Sequence, residues 1–241
     1  MNSSKPMTAN PLYANSHKLW DWCVKHAKVK VGLDIGANEG GYTASMLEHG
    51  IEKVHAFEPV PDMAVKLQNR FRNDPRVFCN AVGVSDYPGR LEGITVLEAW
   101  TLGKPGDGGL SVCPTYKDSP PFSVDLVTVD DYMAGTPVGV IKLDVDGYEH
   151  KVMAGAHRTL NKWRPPILCE FSAYIAKVSG SAENFVRLIT HLRYVTVTAD
   201  GSRVFKTWED ISPWYPHNSS FNVMLLPIEE SEEILEQVRS E

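Results

Sequence analysis

The chain has few cysteines and none that are paired by spacing. Cys23, Cys79, Cys113 and Cys169 lie far apart with no C-x-x-C pair, which argues against a disulfide framework or a zinc site. They are expected to be reduced, mostly buried packing residues. Positive charge is not in excess: 24 Lys+Arg stand against 30 Asp+Glu, a net charge of −6. Polyanion binding usually needs a basic stripe, so nucleic acid is not expected as a partner. No run approaches the roughly 18 apolar residues of a membrane span, and the first twenty positions lack the apolar core of a signal peptide. A cytoplasmic protein without a membrane span is the expectation. Internal repeats are absent too. With 43% hydrophobic and 22% charged residues over 241 positions, disorder, collagen and coiled coil are excluded as the main architecture.

What is present is alternation. Short apolar runs at 29–35, 53–57, 77–82, 138–145 and 167–171 are each followed by a stretch of helical period, such as Met63, Leu67 and Phe71, or Val152, Ala156 and Leu160. This is the pattern of an α/β fold, a Rossmann-like, doubly wound and mostly parallel sheet covered on both faces. Segments 194–198, 202–206 and 221–226 predict an antiparallel C-terminal edge, and 229–241 a solvated acidic helix. Residues 1–28 divide into a polar arm and a covering helix carrying Leu19, Trp20, Cys23 and Ala27, leaving 29–241 as one domain. Residues 100–122 carry four glycines and four prolines and no pattern of their own, as in a lid or a disordered insert.

The densest signal is the turn after the first core strand, Asp34-Ile35-Gly36-Ala37-Asn38-Glu39-Gly40-Gly41. Small residues between a strand and a helix let a ligand approach backbone N–H groups at the helix N-terminus, although a tight turn with no ligand has the same composition. The next strand ends in Phe57-Glu58-Pro59, where an acidic side chain can accept both hydroxyls of a ribose. A dinucleotide fingerprint places glycine where Asn38 stands, and a side chain there would crowd a pyrophosphate. The lysine of a phosphate-binding loop is missing as well. S-adenosylmethionine (SAM) has no phosphate and fits best.

These residues, with Asn80-Ala81-Val82-Gly83, Thr128-Val129-Asp130-Asp131-Tyr132 and above all Ile141-Lys142-Leu143-Asp144-Val145-Asp146-Gly147-Tyr148-Glu149, resemble the FkbM-like branch of class I SAM-dependent methyltransferases. The likeness covers about residues 29–175, with weaker support to 226. The resemblance implies SAM contacts from Asp34, Gly36, Ala37, Asn38 and Gly40, ribose contact by Glu58 with Pro59 beside it, and adenine contact near Asn80 and Ala81. One departure is Asp146, where the family more often has glutamate.

Methyl transfer is an in-line displacement, and a hydroxyl acceptor also needs a base. Asp144, Asp146, Glu149 and His150 follow the fourth core strand, and Glu170 ends the fifth, at the edge where open α/β sheets bind ligands. Asp144 and Glu170 rank first on position. His217, in an aromatic loop-like run, is a further candidate base. Lys142, inside an apolar strand, is expected to be a counter-ion to one of these carboxylates. A divalent metal held by Asp144 and Glu170 would be an alternative way to activate the acceptor, but it is not expected, since no clear third ligand is present. The reading is O-methylation of a small-molecule or glycan hydroxyl. Its alternatives are an NAD-type oxidoreductase and a catalytically silent binding module.

Overall fold

The computed structural model describes residues 17–94, 120–215 and 220–240. Its centre is an eight-stranded sheet of order β10-β9-β11-β8-β7-β1-β2-β3. Five strands run parallel: β3 (Val77–Asn80), β2 (Lys53–Phe57), β1 (Val31–Ile35), β7 (Val140–Leu143) and β8 (Ile167–Ser172). β11 (Ser220–Pro227), β9 (Tyr194–Thr198) and β10 (Val204–Phe205) add antiparallel to one side. The expected α/β fold with an antiparallel C-terminal edge is the observed one. The chain reverses direction of growth between β1 and β7, and that switch opens a crevice at their C-terminal ends.

Period-two alternation assigns each strand residue to a face. Leu33, Ile35, Ile141, Leu143, Ile167 and Cys169 point to one side and pack against Val152, Met153, Leu160 and Phe185. Those residues belong to or adjoin helices α5 (Glu149–Gly155), α6 (His157–Trp163) and α8 (Ala182–His191), with α4 (Val129–Met133) beside them and α7 (Ala173–Ser179) preceding α8. Val140, Leu168, Val197 and Met224 point to the other side. They meet α1 (Lys18–Lys25), α2 (Gly41–Glu48) and, by way of α1, α10 (Ser231–Ser240). Each such buried Leu, Ile or Phe contributes about 1.5–3 kcal/mol over exposure. Among the described residues no helix is long and apolar enough to cross a membrane.

Three expectations are corrected. The C-terminal helix is amphipathic rather than simply solvated: Ile234, Leu235 and Val238 are buried against α1, while its glutamates face outward. The helix expected through Val152, Ala156 and Leu160 is two short helices broken at Ala156. The third strand stops at Asn80, and the chain then builds a separate three-stranded sheet, β4 (Gly83–Val84), β6 (Phe122–Val127) and β5 (Gly89–Ile94), in the order β4-β6-β5. This second sheet closes one side of the crevice. Helices α3 (Pro61–Phe71) and α9 (Trp208–Ile211), with a 3-10 turn at Ser212–Trp214, complete the described elements.

Candidate functional site

A cavity of about 1200 Å³ opens over the C-terminal ends of β1, β2, β7 and β8. Its first wall is the turn after β1. Gly36 has φ +80°, and a side-chain carbon there would lie 1.8 Å from the Asp144 carbonyl oxygen, so only glycine fits this approach of two strand ends. The amides of this turn are turned inward: Gly36 and Ala37 N–H both donate to Phe57 O, at 3.0 and 2.9 Å, and Gly40 N–H donates to Ala37 O at 2.8 Å. Asn38 N–H donates to Glu58 Oε2 at 2.8 Å. The expected exposure of free N–H groups at the helix start does not occur at these four positions. Ala37, Asn38, Glu39 and Tyr42 line the cavity beside Gly36.

Glu58 is 4% exposed and lines the cavity with Pro59, Val60 and Met63. Its other oxygen, Oε1, accepts Val60 N–H at 2.9 Å. Burial raises its pKa, and the two backbone donors oppose that rise. Each carboxylate oxygen keeps capacity for a further donor.

Four residues singled out from the sequence for cofactor contact do not line the cavity. Asp34 is fully buried, its Oδ2 accepting the Thr43 hydroxyl at 2.6 Å, and it does not line the cavity. It ties β1 to the start of α2. Gly40 packs under Leu67 and Phe71 of α3. Asn80 is engaged on every side: its amide nitrogen donates to Ala56 O and Phe78 O, and its amide oxygen accepts the Tyr132 hydroxyl. Ala81 is exposed outside the cavity. Val82 and Gly83, one step further on, line it instead.

The opposite wall is acidic. Register places Lys142 beside Asp34, and Lys142 Nζ donates to Asp144 Oδ2 at 2.9 Å and to Gly36 O at 3.2 Å, 5.2 Å from the Tyr42 ring centre. Burial alone would lower its pKa, but Asp144 and Asp34 outweigh that and hold it above the ordinary value. The expected counter-ion is therefore found, with the added task of joining the β1 turn to the β7 end. Asp144, Asp146 and Glu170 bring carboxylate oxygens within 4.8 Å of one another, and all three line the cavity. Among the described residues this is the group of acidic, histidine and cysteine side chains close enough to share a cation. Burial, then the neighbouring Asp144, pushes Glu170 up to about 8, while a hydrogen bond from Ser220 opposes the rise. The same two causes hold Asp146 well above the ordinary carboxylate range.

Sequence reasoning noted Asp146 as a departure and missed it as a third partner. Asp146 and Gly147 take consecutive positive φ angles of 52° and 101°. A short Asp tolerates that left-handed conformation better than a longer side chain does, so the departure suits the backbone. Glu149 is fully buried and holds the same loop, its Oε1 accepting Val145 N–H at 3.0 Å, and burial pushes it up to about 8. His150 is half-buried away from the lining. His217 and most of segment 100–122 lie outside the described residues.

None of the curated proteins matches. A methyltransferase FkbM from Methylobacillus flagellatus is 21% identical with TM-score 0.43, over 61% of this chain and 33% of that one, so this chain spans about a third of its length. The N-methyltransferase NodS from Bradyrhizobium japonicum, solved with S-adenosyl-L-homocysteine, is 12% identical with TM-score 0.44, over 91% of this chain and 89% of that one. A precorrin-6y C5,15-methyltransferase from Geobacter metallireducens is 9% identical with TM-score 0.44, over 86% of each chain. The methyltransferase FkbM domain family matches residues 34–196, more than half of the sequence and both walls of the cavity. By that match the chain belongs to the FkbM domain family of SAM-dependent methyltransferases.

Proposed function

We propose that the cavity binds SAM along the β1 turn and the end of β2, and that the chain transfers its methyl group to a hydroxyl of a small molecule or glycan. The observation that carries the cofactor reading is the inward use of the Gly36, Ala37, Asn38 and Gly40 amides. A pyrophosphate would find no donor at these positions, whereas SAM brings only a ribose, an adenine and an amino-acid tail. Glu58 accepts the ribose hydroxyls, Gly36, Ala37 and Asn38 face the tail, and Val60, Val82 and Gly83 flank the base. Asp34, Gly40 and Asn80 hold these surfaces in place from behind.

In the transfer step a lone pair of the acceptor oxygen forms the new O–CH₃ bond. When bound, SAM would supply the methyl group from its sulfonium, the C–S electron pair leaving on sulfur as the neutral thioether of S-adenosylhomocysteine (SAH). The acceptor's proton passes to a carboxylate. Glu170 is the base best suited to receive it, because a pKa of about 8 makes its ionised form a stronger base than an ordinary carboxylate. Asp144, engaged by Lys142, orients the site.

Calorimetry with SAM, SAH and NADH tests the cofactor reading, with SAM and SAH expected to bind and NADH not. A labelled-methyl screen over glycans and small hydroxylated metabolites tests the reaction. SAH binding without turnover of any acceptor would favour the silent module, and loss of activity in a chelator restored by Mg²⁺ or Mn²⁺ would replace the free-base step by a metal at the three carboxylates.

A further inference from the structure

The cavity is larger than one cofactor needs: small-molecule sites typically span roughly 300–1,000 Å³, against about 1200 Å³ here. Beyond β1 and β2 its wall is the small sheet, from which Leu91, Phe122, Val124 and Leu126 line it. That sheet packs on α5, where Gly155 lies so near the Ser85 carbonyl that a side-chain carbon would approach it to 2.1 Å. At this junction stand Tyr87, Tyr148 and Lys151, all lining the cavity.

The other cations of the lining are already engaged. Lys142 pairs with Asp144 at 2.9 Å and Lys66 with Glu39 at 2.8 Å, while Arg70 donates to Glu39 O at 2.8 Å. Lys151 forms no ion pair among the described residues. Its Nζ lies 5.6 Å from the Tyr148 ring centre and 6.0 Å from that of Tyr87. Aromatic faces on two sides restrict the ammonium's hydration, which strengthens any charge-assisted bond it makes.

We propose that Lys151, flanked by Tyr87 and Tyr148, selects acceptors that carry a carboxylate on an apolar body. This rests on the methyltransferase reading and names its substrate class as hydroxylated apolar acids. The small sheet receives the body. Charge sets the orientation: the three carboxylates at Asp144, Asp146 and Glu170 repel the acid group, Lys151 attracts it, and the hydroxyl is left at the acidic end where the methyl group arrives. The carboxylate of SAM itself is the competing anion, and the effect of the lysine on SAH affinity separates the two.

The test measures binding of hydroxy acids and their primary amides to SAH-loaded protein, using 3,4-dihydroxybenzoate and 12-hydroxydodecanoate with their amides. At least one acid is expected to bind about tenfold or more tightly than its amide. Lys151→Gln should abolish that preference, Lys151→Arg should keep most of it, and both should bind SAH as the wild type does. An absent preference, or one that survives in Lys151→Gln, overturns the inference while SAH binding leaves the methyltransferase reading standing. A tenfold loss of SAH affinity in Lys151→Gln would assign the lysine to the cofactor's carboxylate and equally overturn it. Wild-type protein that binds neither SAM nor SAH would remove both.

Discussion

The two walls of the cavity treat polar groups in opposite ways. At the wall proposed to hold the cofactor, both Glu58 oxygens accept backbone N–H groups, and four turn amides close on neighbouring acceptors. At the acid wall, three carboxylates crowd within 4.8 Å, and the one lysine among them is paired with Asp144. The first wall is rigid before any ligand arrives, which lowers the ordering cost of binding. The second holds like charges at close quarters, so protons must sit on some of them. A satisfied surface suits binding, whereas a crowded one suits proton transfer, and the two occupy adjoining strand ends of one sheet.

The largest effect that would sharpen this contrast is at Glu170. Glu170→Gln should lower kcat by about 10²–10⁴-fold with SAH affinity unchanged. In the wild type, kcat should rise with pH through about 8, as Glu170 loses its proton, and the variant should lose that limb. A variant that binds SAH poorly would dissolve the division between the walls. Next in size is Glu58→Ala, for which calorimetry should show SAM affinity lower by roughly 10- to 100-fold, or about 1.5–3 kcal/mol. Unchanged affinity would remove Glu58 from the cofactor wall.

A smaller effect is expected in stability at Glu149. Its carboxyl is pushed from 4.5 to about 8 in the folded chain, so the folded state keeps a proton that the unfolded state releases. Stability from this group is therefore complete below pH 4.5 and lost as pH rises through about 8. Glu149→Gln cannot lose a proton. It should match the wild-type Tm near pH 5 and exceed it at pH 8 by roughly 2–6 °C, equivalent to about 1–2 kcal/mol. A wild-type Tm that does not fall over this range would refute the assignment. The smallest effect belongs to Glu39, which lines the cofactor wall but is exposed and pairs with the exposed Lys66. Glu39→Ala should leave Tm within about 1 °C of wild type, since exposed pairs contribute little; a clear loss of SAM affinity would extend the cofactor wall outward.

The parallel core was legible because β1, β2, β7 and β8 are short, mostly apolar runs with successive residues buried, as a sheet covered on both faces requires. The small sheet was harder to see. β6 does alternate, with Val124 and Leu126 buried around exposed Asp125, but its partner β5 is mostly exposed and contains two glycines. α10 was misjudged because its glutamates dominate the composition while Ile234, Leu235 and Val238 alone decide the packing.

By itself, the sequence determined the α/β class, the glycine turn, Glu58 at the end of the second strand, the carboxylates after the fourth and Glu170 near the end of the fifth, because periodicity and chain order are local properties. Which of those residues face the cavity was decided by tertiary structure. Asp34, Gly40 and Asn80 lie within the right motifs, yet their neighbours turn them into supports. Asp146 joined Glu170 because strands 20 or more residues apart in sequence run side by side with their ends at one edge. Lys151 met Tyr87 because the small sheet folds back onto α5. Spacing along the chain fixes what can stand on one element, whereas the approach of carboxylates to one another, and hence their protonation, depends on which elements pack together.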